Sequence, residues 1–167
     1  GTDNDKVNDL SGNQVFQAIV ISNKNGLLVS SDEESMEYLS SDKMSVGLLE
    51  TEIYGQDDNL IDEEILEPGD RVKIFYNGII AESYPAQISA KKIEVVGHND
   101  IIDGMFALID DIYQEDSALN SDISMIALDT SEWTSILMAE IYTILAMVEE
   151  KYEVEIIQGT YEELAER

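Results

Sequence analysis

The sequence predicts an α+β protein in two parts: a small OB-like antiparallel β-barrel, followed by a small α/β domain with the element order α–β–α–β–α. Two observations support this division. Over residues 14–97, short apolar runs are separated by turn residues at regular intervals, which favours a small barrel. After residue 97 the apolar residues recur with a period of about 3.6 instead of about 2, which indicates helices. A two-sheet sandwich is the alternative architecture for the first part.

Five short strands account for most of the first part. Runs 15–21 and 27–29 lie on either side of an Asn/Gly turn, and this is the pattern of a β-hairpin. The other three strands are predicted at 45–54, 71–76 and 87–96. In the last of these, alternation places Lys91 on the same face as Ile93 and Val95, and Lys92 on the same face as Glu94.

A short helix is predicted between the second and third strands. Ser31 and Glu34 have the spacing of a capping box, so this helix should begin near Asp32 and end near Leu39. Residues 57–66 predict an acidic loop with one helical turn, which Pro68 terminates.

The second part is predicted from helical periodicity. Its first helix carries one apolar stripe, formed by Ile102, Met105, Phe106, Ile109, Ile112 and Tyr113. Strands are expected at 123–128 and 153–158, and the last helix is capped by Thr160 and Glu163. The helix between them, 134–151, is apolar nearly all round, so we expect it to be buried mainly within its own chain. A monomer is therefore expected over a weak dimer.

Composition removes several classes of function. The chain has 9 basic and 36 acidic residues, a net charge of −27, so nucleic acid is not expected as a partner. It has no cysteine and one histidine, so a zinc site or a Ser–His or Cys–His nucleophile pair would lack nearly all of its parts. His98 lies beside Asn99 and Asp100 and is predicted to be solvated, while one of these neighbours caps the next helix. No metal, cofactor or catalytic residue is predicted.

Acidic residues are too abundant to mark a site by themselves. Asp57 and its acidic neighbours in the loop offer oxygen ligands for calcium. Their spacing departs from that of an EF-hand, because Ile61 occupies the fifth position and Asp62 replaces the glycine of the sixth. We therefore predict a solvated acidic loop.

The most promising candidate surface is the corner formed by Glu82, Ser83, Tyr84 and Pro85. Pro85 restricts Tyr84 to an extended conformation, and an exposed Tyr ring beside a carboxylate and a hydroxyl could bind a sugar or a peptide. The alternative is that Tyr84 plugs the barrel end while Glu82 or Ser83 binds loop amides.

A second candidate is the group of basic residues on the two predicted strands at 71–76 and 87–96. Arg71, Lys73, Lys91 and Lys92 could form a small anion site, or could instead neutralise acidic side chains of the same molecule. The predicted ligand-binding set is Glu82, Ser83, Tyr84, Arg71 and Lys73.

The stretch 66–96, LEPGDRVKIFYNGIIAESYPAQISAKKIEVV, contains a PGD turn, a strand, a glycine turn, the ESYPA corner and another strand. It resembles a family of uncharacterised secreted lipoproteins of Gram-positive bacteria that carry a domain of unknown function. The resemblance implies an OB-like barrel at 14–97 and a second domain at 98–167. It also implies that residues 1–13 are a disordered tether after a signal peptide and a lipidated cysteine that are missing here.

Together these observations predict an extracytoplasmic lipoprotein that acts as a non-enzymatic binding or assembly module at the cell envelope. Its partner would be an envelope protein, a peptide or a glycan, and it would touch the membrane only through the lipid anchor. The alternative is a hydrolase that uses carboxylates, with or without calcium, on a glycan or cell-wall substrate.

Overall fold

The computed structural model describes residues 14–119, 125–129, 131 and 135–166, with backbone alone for 117–119 and 135–140. The chain divides into two compact units, Gly1–Asn99 and Asp100–Arg167. The predicted tether at 1–13 lies outside the described residues, as do the first residues of the strand predicted at 123–128 and of the helix predicted at 134–151.

Within its described residues, the first unit is a β-barrel with one short α-helix and one 3₁₀ turn, Glu63–Ile65, which is the helical turn predicted in the acidic loop. Helix α1, Met36–Ser40, lies between the second and third strands. The six strands are β1 Gln14–Ser22, β2 Leu27–Ser31, β3 Lys43–Gly47, β4 Glu52–Tyr54, β5 Asp70–Tyr76 and β6 Ala86–His98.

A parallel contact closes the barrel. The strands are ordered β3-β2-β1-β5-β6-β4, and β3 also pairs with β6, so that five strands form a ring and β4 is attached outside it. The closing register runs from Met44 opposite Ala86 to Gly47 opposite Ser89. This ring is the OB-like barrel that the sequence predicts, but it is mixed rather than antiparallel, because β3 runs parallel to β6. Strand β4, outside the ring, also runs parallel to β6.

The barrel core follows the alternation of the strands. Its fully buried members include Val20, Val29, Val72, Ile74 and Ile93. In β6 the alternation changes phase, since Tyr76 lies opposite Ala90 while Phe75 lies opposite Lys92.

The change of phase in β6 is a β-bulge, and it shows that the predicted face for Lys91 is wrong. Because Lys91 is the extra residue at the phase change, it is exposed instead of lying with the inward Ile93 and Val95. Lys92 and Glu94 do share the outer face, and their side chains form an ion pair at 2.8 Å.

The helix predicted at 32–39 begins later, because Ser31 belongs to β2. The Ser31 side chain is buried and donates a hydrogen bond of 2.8 Å to the Ser41 carbonyl. Ser35 caps α1 instead and accepts a hydrogen bond of 3.2 Å from the Tyr38 amide.

The strand predicted at 45–54 is split in two. Strand β3 ends at Gly47, and a turn closed by a hydrogen bond from Thr51 N to Leu48 O leads into β4. The Thr51 hydroxyl then donates to the Ala90 carbonyl at 2.7 Å, which fixes β4 beside β6.

A buried polar pair joins α1 to the barrel. Glu37 is 6% exposed, and it accepts a hydrogen bond of 3.0 Å from the hydroxyl of Tyr76, which is 2% exposed. Burial, together with this hydrogen bond to a carboxylate, raises the pKa of Tyr76 well above its usual range. The pair therefore depends on a protonated tyrosine.

The second unit has the predicted order α–β–α–β–α. Its elements are α2 Asp100–Leu119, β7 Met125–Asp129, α3 Ser135–Tyr152, β8 Glu155–Gly159 and α4 Tyr161–Ala165. Strands β7 and β8 are parallel and are joined through α3. The predicted cap is present, as the Glu163 amide donates to the Thr160 hydroxyl.

Helix α3 is buried over much of its described surface. Ile141 is 6% exposed, and the five consecutive residues 144–148 are all buried. Toward the end of the helix, Tyr152 stacks on Tyr113 of α2. No helix among the described residues is long and apolar enough to cross a membrane.

The pair between Tyr76 and Glu37 should contribute measurably to stability. Tyr76→Phe leaves a buried carboxylate without its donor, and we expect the free energy of unfolding in urea to fall by about 1–3 kcal/mol. Tyr38→Phe on α1 is the matched control, since no hydrogen bond involves the Tyr38 hydroxyl in the described part of the chain. Equal stability of both variants would contradict the role given to the pair.

The same pair predicts a loss of stability in alkali. In the unfolded chain Tyr76 ionises near pH 10, whereas the fold raises its pKa, so its stabilising effect is complete below about pH 10 and declines above it. Urea unfolding between about pH 8 and 11 should show a steeper loss for the wild type than for Tyr76→Phe. Parallel pH profiles would refute the assignment.

Candidate ligand-binding groove

The predicted corner is rigid and lies at the surface. Tyr84 and Pro85 are joined by a cis peptide bond, and the Ser83 hydroxyl donates to the Pro85 carbonyl at 2.7 Å. Tyr84 is 70% exposed, so it does not plug the barrel end, and its hydroxyl donates to Asp42 Oδ1 at 3.1 Å. The corner therefore holds its tyrosine beside the start of β3.

The structure does not bring the five predicted ligand-binding residues together. Glu82, Ser83 and Tyr84 precede the start of β6, next to the end of β5 that contains Tyr76. Arg71 and Lys73 lie toward the other end of β5, where Arg71 is opposite Gly97. They belong to a different surface of the barrel.

An aromatic and charged cluster covers the outer face of the sheet near Lys73. The Lys92 ammonium lies 5.1 Å from the centroid of the Phe75 ring and 5.4 Å from that of Tyr54. Its ion pair with Glu94 raises the pKa of Lys92, and Lys73 is opposite Glu94 across the strands. These contacts agree with the interpretation that the basic residues neutralise acidic neighbours.

His98 is not a solvated linker residue, which corrects the prediction. It is the last residue of β6, opposite Asp70, and its Nδ1 lies 2.6 Å from Asp70 Oδ1. The second oxygen of Asp70 accepts a hydrogen bond of 2.9 Å from the Glu67 amide.

Strand register brings Asp70 and His98 together. Asp70 follows the turn at Pro68 and Gly69 as the first residue of β5, and it lies opposite His98, the last residue of β6. Side-chain atoms of Glu67, Asp70 and His98 lie within 4.8 Å of one another and could approach a cation. Asp70 already accepts a hydrogen bond from the Glu67 amide in the turn and contacts His98, so we assign this group a structural role.

The acidic loop after β4 is exposed, as the sequence predicts. Asp57 accepts hydrogen bonds from the side chain and the backbone amide of Asn59, which lower the pKa of Asp57. Asp58 has a positive φ of 62°, which fits a tight turn.

A groove of about 340 Å³ lies on the seam where β3 meets β6. Its floor carries outward residues of the closing register, with Ser45 opposite Gln87 and Gly47 opposite Ser89. The loop from β5 to β6 contributes the wall: Asn77, Ile79 and Ala81.

The wall of the groove is held in place at several points. Ala81 and Gln87 exchange two backbone hydrogen bonds of 2.9 and 3.1 Å, and Ile80 packs on the barrel core. The Ile79 amide donates to Asn77 Oδ1 at 2.9 Å. Gly78 has a φ of 88°, and a Cβ there would lie 3.1 Å from the Gln14 side chain, so the turn requires glycine.

Sequence reasoning missed this groove because its parts come from three separate segments. The Asn-Gly turn and the outward alternation of residues 87 and 89 were visible, but only the β3–β6 pairing places them beside residues 45–47. No sequence motif predicts that β3 and β6 pair in parallel and close the barrel.

One comparison with known proteins gives a match. The family described as "Protein of unknown function (DUF3221)" matches residues 3–97, which is more than half of the 167 residues and includes the barrel except for His98, the last residue of β6. No curated protein and no solved structure matches the chain.

The carboxylate of Asp70 should be important for stability. Asp70 is 8% exposed, and Asp70→Ala removes the carboxylate that accepts a hydrogen bond from the Glu67 amide and lies 2.6 Å from His98 Nδ1. We expect the free energy of unfolding to fall by about 1.5–3 kcal/mol in chemical denaturation. Glu82→Ala, at an exposed position, is the control and should change it by less than about 0.5 kcal/mol. A neutral effect of Asp70→Ala would exclude the structural role.

Proposed function

The chain belongs to the DUF3221 family, whose function is unknown, through its barrel unit. We propose that it is a non-enzymatic binding or assembly module with the β3–β6 groove as its ligand surface. We place it outside the cytoplasmic membrane, as a lipoprotein held at the cell envelope. Its ligand is a component of that envelope, and nucleic acid is not a partner because the net charge of −27 repels a polyanion.

The observation that carries this proposal is the groove itself. Its volume of about 340 Å³ falls at the lower end of the range of about 300–1,000 Å³ that is usual for ligand sites. Its floor consists of two paired strands and its wall is fixed by hydrogen bonds. Binding a ligand would therefore cost little conformational entropy of the protein.

The chemistry of the lining favours binding over turnover. The groove residues supply two hydroxyls, two amides and apolar surface, while none of them is a carboxylate, a histidine or a lysine. A general acid or base would have to reach the ligand from outside this set. A fold alone does not define a function, and the proposal therefore rests on the lining residues.

The proposed location is supported by the lipoprotein resemblance of residues 66–96, in which a PGD turn, a glycine turn and an ESYPA corner lie between strands.

The location can be tested in the organism that encodes the protein. We expect the full-length native protein in the membrane fraction, with a lipidated N-terminal cysteine detected by mass spectrometry. A full-length native form without lipid, recovered from the cytoplasm, would refute the proposed location.

The ligand surface can be tested with a variant that fills the groove. A Cβ at Gly47 would lie 3.5 Å from the Ile88 carbonyl oxygen and 3.6 Å from Ser89 Oγ, which are ordinary contacts. Gly47→Val is therefore expected to fold and to occupy the groove. Gly97→Val is the matched control, since a Cβ there meets only the Arg71 side chain, at 3.8 Å or more.

We expect the wild type and Gly47→Val to differ in co-sedimentation with isolated cell walls and membranes. The wild type and Gly97→Val should sediment with this material, whereas Gly47→Val should lose at least about nine-tenths of the bound fraction. Equal behaviour of all three proteins, whether bound or unbound, would refute the groove as the ligand surface.

A further inference from the structure

We infer that the β3–β6 groove binds a neutral saccharide, one or two sugar rings long. This inference rests on the proposed function and names the class of its ligand. Four observations lead to it. The polar side chains of the floor make no hydrogen bonds to the described residues, and no lining residue is charged. The backbone groups of β3 and β6 are already paired, and the wall exposes an apolar side chain.

The floor offers hydrogen-bonding groups that the fold does not use. The side chains of Ser45, Gln87 and Ser89 make no hydrogen bond within the described part of the chain. Asn77 uses its carbonyl oxygen for the Ile79 amide, while its amide nitrogen makes no hydrogen bond to the described residues. Hydroxyl and amide groups can both donate and accept, which is what a set of sugar hydroxyls needs.

Strand geometry sets the spacing of these groups. Ser45 is opposite Gln87 across the parallel pair, and Ser89 is two residues along β6. Neighbouring strands are about 4.8 Å apart, and residues two apart in a strand are separated by about 6.6 Å. Groups at these separations can contact different hydroxyls of the same sugar or of two linked sugars.

The lining selects against charged ligands. All nine residues around the groove are uncharged, in a chain in which 45 of 167 residues are charged by formal count, 9 basic and 36 acidic. A carboxylate or phosphate would find no cation in the groove and would be repelled by the acidic molecule. An ammonium group would find no carboxylate in the lining to replace its hydration.

The strand pairing also selects against an added peptide strand. A peptide that extends a sheet needs an edge with unpaired backbone groups. Strand β3 already pairs with β2 and β6 over residues 44–46, and the floor residues of β6 pair with β3. The groove therefore presents side chains and not a free ladder of backbone groups.

The wall supplies the apolar contact that a sugar ring requires. Ile79 is 70% exposed although its neighbour Ile80 is packed on the core, so the loop holds one isoleucine toward solvent. Ala81 continues this apolar surface along the groove. The C–H face of a pyranose can pack on the wall while its hydroxyls contact the floor.

The test is a titration of ¹⁵N-labelled protein, followed by amide chemical shifts. The probes are maltose, cellobiose and N,N′-diacetylchitobiose as neutral disaccharides, with capped trialanine as a neutral peptide, and glucuronic acid and glucosamine as charged sugars. We expect at least one neutral disaccharide to shift the amides of residues 45–47, 79–81 and 87–89 in a saturable manner.

Variants connect this response to the groove. Gly47→Val should abolish it, Gln87→Ala should weaken the affinity about tenfold, and Gly97→Val should leave it unchanged. Thermal unfolding of each variant verifies that the barrel remains folded.

Three results would overturn the inference. Saturable shifts of the groove amides by trialanine or by a charged sugar, without any by the neutral disaccharides, would show that the ligand class is wrong. Disaccharide shifts that survive Gly47→Val would show that the site is wrong. If no probe shifts the groove, the saccharide class fails, while Gly47-dependent sedimentation with cell walls or membranes would keep the binding module itself intact.

Discussion

The parallel contact between β3 and β6 is the constraint on which the first unit depends. Without it the sheet would have β3 as an open edge, whereas with it the five strands form a ring with a continuous core. The same contact fixes Ser45 opposite Gln87, and so it creates the floor of the groove. The strand pairing that closes the barrel therefore also forms the candidate site.

Strand β6 can make this contact because it changes phase in its middle. Residues 86–89 pair with β3, while the residues after the bulge pair with β5 on one side and β4 on the other. The extra residue, Lys91, lets Ala90 and Ile93 both face the core, although their spacing breaks strict alternation. Strand β6, which has 13 residues, thus pairs with three other strands, β3, β4 and β5.

The sequence predicted the elements whose signals are local. Four of the five predicted barrel strands, the change to helical period after residue 97 and the Thr160 cap follow from neighbouring residues, and the structure contains them. The strand predicted at 45–54 is instead divided by the turn from Leu48 to Thr51. The start of α1 was misplaced because Ser31 and Ser35 both have the chemistry of a cap, and only the burial of Ser31 in β2 separates them. His98 and Asp70 are 28 residues apart and meet only through strand register, as do the walls and floor of the groove.

The pairing of β6 also determines when the first unit can fold. Strands β3 and β5 pair first with β2 and β1, but the second neighbour of each is β6, and in the described sheet β4 pairs with no strand other than β6. Because β6 is the last strand of this unit, these contacts join residues far apart in the chain. Folds of this kind form slowly, because the entropy of closing long loops is lost before the contacts are gained. A nascent chain that ends before residue 86 therefore cannot close the ring, and the outer edges of β3 and β5 stay open until β6 has been synthesised.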